Sequence, residues 1–150
     1  MLTNFNLLDT KVDEAISRIL INDQLLIKKG QELALSNKMG MYLFSIFHGW
    51  DVDCEYNRIG IYDEQKRSAD YNFKRPDIII HKRGLKQKEN NLLWIEVKIN
   101  NDQCTDDISK IKDFTRQPEG YREIQYQYGL SISFIPEIQK KWIQNGEVIN

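Results

Sequence analysis

Residues 75–80 read Arg-Pro-Asp-Ile-Ile-Ile, and residues 92–99 read Leu-Leu-Trp-Ile-Glu-Val-Lys-Ile. Both segments are apolar runs of strand length that carry charged residues at a few positions. Residues two apart in a strand point to the same face of a sheet, so Glu96 and Lys98 share one face and Val97 lies on the other. If the two strands pair as an antiparallel hairpin, Asp77 lies opposite Glu96 and Lys98. We therefore expect two carboxylates and an ammonium group to converge on an otherwise apolar sheet.

The composition is that of an ordinary globular protein, with 150 residues, 41% of them hydrophobic and 29% charged. This length predicts a single domain over residues 1–150. The net charge of −1 gives no bulk basicity, so contact with nucleic acid would depend on local patches. The two cysteines lack a zinc-binding spacing, and the chain shows neither a signal-peptide pattern nor a membrane-length apolar run. These features predict a cytoplasmic protein without membrane association.

The periodicity of the chain predicts an α/β fold, in which a mixed four-stranded sheet is flanked by helices. Helices are expected at residues 13–27, 31–47 and 105–116, and in a short final segment from Pro136 that faces inward with Ile138, Trp142 and Ile143. Strands are expected at residues 50–57, 75–82, 91–99 and 125–135. A loop is expected at residues 59–73 and a solvated basic turn at residues 82–88. The element order is therefore α-α-β-β-β-α-β-α.

Glu32 is a carboxylate on the apolar side of the second expected helix. Projected at 100° per residue, it lies near the centre of a stripe made by Leu35, Met39, Leu43 and Ile46. An acid in the first helical turn gains from the helix dipole, which is one interpretation. Because an unpaired buried charge is costly, the other interpretation gives Glu32 an inner partner, either a metal ion or Lys98. The sequence leaves both interpretations open.

The order of these features resembles the PD-(D/E)XK nuclease superfamily, which includes restriction endonucleases, Holliday-junction resolvases and repair nucleases. The resemblance rests on a helix with Glu32, a strand, the Pro76-Asp77 strand, the Glu96-x-Lys98 strand, a helix and a strand. Residues 50–58 (Trp-Asp-Val-Asp-Cys-Glu-Tyr-Asn-Arg) and 75–84 also resemble a family of small prokaryotic proteins in this superfamily. The resemblance covers roughly residues 30–135 and implies a restriction-endonuclease-like core.

The resemblance also implies a divalent-metal-dependent nuclease that hydrolyses phosphodiester bonds. Asp77 and Glu96 would bind the ion together with the Val97 carbonyl, and such oxygen ligands suit Mg²⁺ or Mn²⁺. Lys98 would orient or help deprotonate the attacking water and offset charge in the transition state. Glu32 resembles the helix glutamate that completes the site.

Basic residues around the proposed site are candidates for contact with a substrate phosphate. The main candidates are Lys74, Arg75 and Lys112, with Lys66, Arg67, Arg58 and Tyr71 as further candidates in or next to the loop. Lys112 shares a helix face with Ile108, whereas Lys110 is expected to face solvent. His81 is expected at the surface or near the turn.

The expected partner is DNA, with RNA as an alternative because metal-assisted phosphate chemistry is the same for both. A chain of this length leaves no room for a recognition domain, so structure-selective or partner-directed cleavage is expected, and a homodimer would present two sites to a duplex. The rival hypothesis is a non-catalytic protein that keeps the fold and binds nucleic acid or a protein. Asp77 could then be a plain strand-start residue, and Glu96 and Lys98 a surface ion pair. The complete set of Asp77, Glu96 and Lys98 counts against this rival.

Overall fold

The computed structural model describes residues 4–60, 64–68, 74–101 and 105–150. Its helices are α1 (Phe5–Asn22), α2 (Gln24–Lys28), α3 (Glu32–Ile46) and α4 (Thr105–Thr115). Its strands are β1 (Asp51–Cys54), β2 (Arg58–Ile59), β3 (Glu64–Gln65), β4 (Ile78–His81), β5 (Asn91–Asn100), β6 (Tyr128–Ile135), β7 (Gln139–Gln144) and β8 (Glu147–Val148). A short 3₁₀ helix, Lys88–Asn90, leads into β5. Across these described ranges, no helix is both long and apolar enough to span a bilayer.

Six strands form one mixed sheet in the order β1-β4-β5-β6-β7-β8, and β2 and β3 form a separate antiparallel pair. The pairing is antiparallel from β1 through β4 to β5 and again from β6 through β7 to β8. The central pair β5–β6 is parallel, and α4 lies in the connection between the two strands, as a parallel pair requires. The predicted α/β class with a mixed sheet is therefore confirmed.

Helices cover both faces of the sheet. On one face, α1 and α3 pack against the apolar residues of β5, so that Leu93, Ile95, Val97 and Ile99 are all buried as the alternation predicts. On the other face, α4 packs against Trp94, whose ring stacks on Phe114 at 4.3 Å between centroids. Because both faces are covered, any charged side chain on β5 is forced into a packed layer.

The first helix begins earlier than the periodicity indicates. α1 begins at Phe5, where the Asn4 side chain accepts a hydrogen bond from the Asn6 N–H at 2.9 Å, and it ends at Asn22. The expected helix at residues 13–27 is therefore divided at Asp23, after which α2 continues the apolar contacts with Leu26 and Ile27.

The final segment is a strand pair, and the predicted helix after Pro136 is wrong. Trp142 and Ile143 both lie inward and fully buried, but on opposite faces of the sheet, because neighbouring residues of a strand alternate. Asn145 and Gly146 have φ of 52° and 82°, which is the backbone of a two-residue hairpin turn between β7 and β8. These two strands raise the expected four-stranded sheet to six strands.

The segment expected to be a loop at residues 59–73 is partly ordered into the β2–β3 pair. Lys66 follows this pair and is fully buried. Tyr71, proposed from the sequence as a substrate contact, lies outside the described residues.

Candidate functional site

The β4–β5 hairpin brings Asp77 to the charged part of β5. The register pairs Ile78 with Ile95, so Asp77, the residue just before β4 begins, lies opposite Glu96. The Asp77 Oδ2 atom accepts a hydrogen bond from the Val97 N–H at 2.8 Å. The antiparallel pairing expected from the sequence is confirmed, and it fixes the first carboxylate beside the second.

Glu96 is buried, with only 2% of its surface exposed. Its Oε1 atom accepts a hydrogen bond from Trp94 Nε1 at 2.6 Å and lies 2.8 Å from Lys110 Nζ. Burial, reinforced by the neighbouring Asp77 carboxylate, raises the pKa of Glu96 to about 8, although Lys110 acts in the opposite direction. A carboxyl group in this state gains much from an additional cation.

Lys98 lies on the same face of β5 and contacts two further acids. Its Nζ atom lies 3.3 Å from Glu32 Oε1 and 3.6 Å from Asp107 Oδ2. Partial burial acts to lower the pKa of Lys98, but the Asp107 and Glu32 carboxylates outweigh it and raise the pKa above its ordinary value. Lys98 is therefore an ammonium group at physiological pH.

Glu32 is the first residue of α3 and reaches the end of β5. Its Oε2 atom accepts a hydrogen bond from the Ile99 N–H at 3.2 Å, in addition to the contact with Lys98. The sequence left two interpretations of Glu32 open, an acid stabilised by the helix dipole and an acid with an inner partner. The structure contains the inner partner, Lys98, and Glu32 also lies in the first turn of α3, where the dipole favours an acid.

Two residues of α4, Asp107 and Lys110, complete this group and were not identified from the sequence. The expectation that Lys110 faces solvent is wrong, since its side chain is only 20% exposed and pairs with Glu96. Asp107 is 8% exposed, and burial raises its pKa, an effect that Lys98 and Lys110 oppose. Helical spacing was the available signal, because Asp107 lies four and seven residues before the buried Ile111 and Phe114. We call the set of Glu32, Asp77, Glu96, Lys98, Asp107 and Lys110 the Glu96 cluster.

The other basic residues proposed from the sequence lie around the Glu96 cluster rather than in it. Arg75 is exposed, with its guanidinium 3.5 Å from Glu55, and its carbonyl oxygen accepts a hydrogen bond from Lys110 Nζ at 3.4 Å. Lys74 precedes it and is partly buried. Lys112 is partly buried on α4 and forms no ion pair with a residue in the described ranges, so α4 turns Lys110 toward Glu96 and not Lys112.

A second charged group occupies the same sheet face, and we call Asp53, His81 and Arg83 the Asp53 cluster. His81 is the last residue of β4 and so lies next to the turn, which is one of its two expected positions, but it is 3% exposed and not at the surface. Its Nε2 atom lies 2.7 Å from Asp53 Oδ2. Arg83 Nη2 lies 2.6 Å from Asp53 Oδ1. Partial burial acts to raise the pKa of Asp53, but hydrogen bonds from His81 and Arg83 outweigh it and lower the pKa to about 2.

Lys66 cannot contact a substrate in this conformation, contrary to the prediction. Its Nζ atom donates hydrogen bonds to the Tyr56 and Arg58 carbonyl oxygens at 3.0 and 2.6 Å, and the side chain is fully buried. Burial lowers the pKa of Lys66 to about 7. Lys66, which follows β3, is therefore hydrogen-bonded to the main chain at the start of β2.

The donor set of the Glu96 cluster suits a hard divalent cation. In the described part of the chain, no three carboxylate, imidazole or thiol side chains are gathered closely enough to hold a metal ion by themselves. Mg²⁺ commonly takes one or two carboxylates and keeps several waters, so Asp77 and Glu96 with the Val97 carbonyl form an adequate set. The Asp107 Oδ2 atom is buried without a hydrogen-bond partner in the described residues, which leaves a further acceptor beside them.

Comparison with protein-family models, with curated proteins and with solved structures finds no match to this chain.

Proposed function

We propose that this protein is a Mg²⁺- or Mn²⁺-dependent nuclease of the PD-(D/E)XK type that hydrolyses phosphodiester bonds of DNA. The observation that carries the proposal is the meeting of Asp77, Glu96 and Lys98 at one end of the β4–β5 hairpin. This end of the hairpin lies within a sheet whose faces are packed mainly with apolar side chains. The mixed sheet, with helices on both faces and α4 after β5, is compatible with a restriction-endonuclease-like core.

In this proposal, Asp77, Glu96 and the Val97 carbonyl hold the ion. A bound divalent ion would polarise the scissile phosphate and lower the pKa of a coordinated water. Lys98 has a raised pKa, which favours a role as a hydrogen-bond donor that orients the water and stabilises negative charge over a role as general base. Glu32 holds the Lys98 ammonium group in place from the start of α3.

The residues at the mouth of the site favour contact with a phosphate backbone. The exposed Arg75 and its neighbour Lys74 immediately precede Asp77, and Lys112 lies farther along α4. Contacts of this kind carry no sequence information, which agrees with structure-selective or partner-directed action. A homodimer would present two such sites to a duplex, and RNA is a substrate that the same chemistry serves.

The rival function is a non-catalytic module that binds nucleic acid or a protein. One observation favours it: the two ammonium groups of Lys98 and Lys110 already sit on the acids of the Glu96 cluster. An ion-paired cluster of this kind can exist without any metal.

The test compares wild-type protein, Lys98→Ala and Lys88→Ala on supercoiled, linear, single-stranded and four-way-junction DNA and on RNA, with Mg²⁺, Mn²⁺ or EDTA. Lys88 lies just before β5, at the opposite end of the strand from Lys98, and serves as the matched control. We expect metal-dependent cleavage that Lys98→Ala abolishes and Lys88→Ala retains. If every substrate stays intact and calorimetry detects no heat of Mn²⁺ binding, the nuclease hypothesis is rejected in favour of the non-catalytic binding module.

A further inference from the structure

Helix α4 carries an acid and an amine three residues apart, Asp107 and Lys110, which are neighbours on a helix surface. They do not pair with each other. Lys110 instead crosses to β5, where its Nζ atom lies 2.8 Å from Glu96 Oε1, and it also donates to the Arg75 carbonyl oxygen. The amine of α4 therefore occupies the carboxylate that the proposed metal would need.

Asp107 is left incompletely bonded by this arrangement. Its Oδ2 atom is buried and has no hydrogen-bond partner in the described residues. The Lys98 ammonium group at 3.6 Å is within ion-pair range but beyond the length of a good hydrogen bond. A buried acceptor whose cationic contact is this long is only weakly satisfied, which carries an energetic cost.

The formal charges of the Glu96 cluster are also unbalanced. When all four carboxyl groups are ionised, as they would be with a metal bound, Glu32, Asp77, Glu96 and Asp107 supply four negative charges, whereas Lys98 and Lys110 supply two positive charges. One divalent cation makes up this difference, and a second would leave the cluster positive. Lys110 Nζ lies at the Oε1 oxygen of Glu96, so a metal ion on the same carboxylate would be repelled by the ammonium group and would weaken its hold on Glu96.

We propose that Lys110 is an exchangeable counter-ion, which holds Glu96 until a single divalent cation takes that carboxylate, and that Asp107 then receives the displaced ammonium group. This inference rests on the proposed metal-dependent function. Lys110 thereby competes with the metal, and Asp107 lowers the cost of the exchange because the ammonium group passes to an acceptor one turn away on its own helix.

The experiment measures Mn²⁺ binding by isothermal titration calorimetry for wild type, Lys110→Met, Asp107→Asn and the double variant. We expect Lys110→Met to bind Mn²⁺ about tenfold more tightly, because the competing charge-assisted hydrogen bond is gone. Lys112→Met removes the same charge from the same helix without a contact to Glu96, so it should leave the affinity within about twofold. Asp107→Asn should weaken binding in the wild-type background.

The double variant separates exchange from direct ligation of the metal. If Asp107 acts by receiving Lys110, Asp107→Asn has little effect once Lys110 is Met, and the two substitutions are strongly non-additive. Equal weakening by Asp107→Asn in both backgrounds would overturn the exchange and make Asp107 a ligand.

Two further results would also overturn the inference, and they differ in what they say about the proposed function. If the wild type binds Mn²⁺ and Lys110→Met binds it equally or more weakly, the exchange is rejected and the proposed metal site is retained. No Mn²⁺ binding by any protein removes both. If Lys110→Met does not fold, the side-chain amine signals of the wild type in NMR spectra provide the test. Mg²⁺ should shift the Lys110 Nζ signal and leave the Lys112 signal unchanged. An unchanged Lys110 signal would contradict the exchange.

Discussion

The Glu96 cluster and the Asp53 cluster lie on the same face of one sheet and both combine acidic with basic side chains, yet their charges are satisfied very differently. In the Asp53 cluster, both carboxylate oxygens of Asp53 are bonded at 2.6–2.7 Å, and the pKa of the acid is lowered to about 2. In the Glu96 cluster, the pKa of Glu96 is raised to about 8 and Asp107 Oδ2 lacks a hydrogen bond. The acid of the first group is fully bonded within the protein, whereas the acids of the second are not, and this is the group to which we assign a further cation in the proposed function.

This difference identifies which cluster is the better candidate for function. Structural charges are normally matched within the protein, because a mismatch reduces stability. Acids that bind a ligand often have pKa values raised by burial and acceptor atoms that are weakly bonded in the free protein. We therefore expect that removing a charge from the Glu96 cluster mainly lowers activity, whereas removing one from the Asp53 cluster mainly lowers stability.

The largest expected effect is on activity. Asp77→Asn should reduce metal-dependent cleavage at least about 100-fold, because the ion loses a charged ligand. Asp53→Asn, the same substitution in the Asp53 cluster, should leave the cleavage rate of the folded protein nearly unchanged. Cleavage rates at saturating Mg²⁺ measure both, and a reversed order would mean that the wrong cluster has been assigned.

The next effect is on stability. Asp53→Ala should lower the free energy of unfolding by about 2–3 kcal/mol, because the buried His81 and the Arg83 side chain both lose their partner. Asp51→Ala on the same strand removes a half-exposed acid that accepts a hydrogen bond from the Arg83 N–H at 2.8 Å and forms only a long ion pair with Arg83, 3.9 Å, so it should cost about 1 kcal/mol. Urea unfolding gives both values, and equal costs would show that Asp53 is no more important than a surface acid.

A third substitution separates the two clusters through packing. A Cβ added at Gly129 would approach Ile111 Cγ2 to 2.0 Å, so Gly129→Ala should push α4 away from β6 at a cost of about 1–3 kcal/mol. Since α4 carries Asp107 and Lys110, Mn²⁺ affinity should fall as well, whereas the environment of His81 should not change. Calorimetry and the His81 ring signals in NMR spectra check the two halves, and a disturbed His81 with unchanged metal binding would contradict the expectation.

The smallest effect concerns pH. The pKa of Asp53 is about 2 in the folded protein and lies below its ordinary value of 3.8, so its contribution to stability is present above about pH 4 and is lost as the pH falls toward 2. Wild type should therefore lose more stability than Asp53→Asn over that interval. Unfolding free energies at several pH values provide the test, and parallel curves for the two proteins would exclude a lowered pKa.

The part of the candidate site that lies on β4 and β5 could be predicted from the sequence. Strand alternation has a fixed period of two, so Glu96 and Lys98 had to share a face, and one hairpin register set the position of Asp77. The helix stripe of Leu35 and Met39 likewise indicated the inward side of α3 and the position of Glu32. These inferences depend on local geometry alone.

The part on α4 could not be predicted as readily, because its orientation depends on how the crossover helix docks. Asp107 follows Thr105 and Asp106, and acids in a first helical turn are usual on the basis of the helix dipole alone. The one feature that separates Asp107 from an ordinary first-turn acid is that it shares a helix face with the buried Ile111 and Phe114. The burial of His81 depends on Asp53, 28 residues earlier in the chain, and that of Lys66 on how the irregular segment around it folds back on the Tyr56 and Arg58 carbonyl groups; neither follows from local periodicity.

The last two strands carry a local signal in the sequence. Pro136 suits the first residue of a helix, but the Asn145-Gly146 pair strongly favours a two-residue hairpin turn and so indicates a strand on each side of it. The spacing of Ile138, Trp142 and Ile143 suits one side of a helix and, equally, a strand with both faces covered, so the turn signal is what distinguishes them.

The contact between Glu32 and Lys98 joins residues 66 positions apart in the chain, and Asp107 is later still. The Glu96 cluster is therefore assembled only after α3, the β4–β5 hairpin and α4 have all docked. Contacts of such long sequence separation form late in folding, because loop closure must precede them. A nascent chain on the ribosome, surrounded by RNA, consequently carries no assembled charge cluster until α4 has emerged and folded, which delays any cleavage activity until the domain is complete.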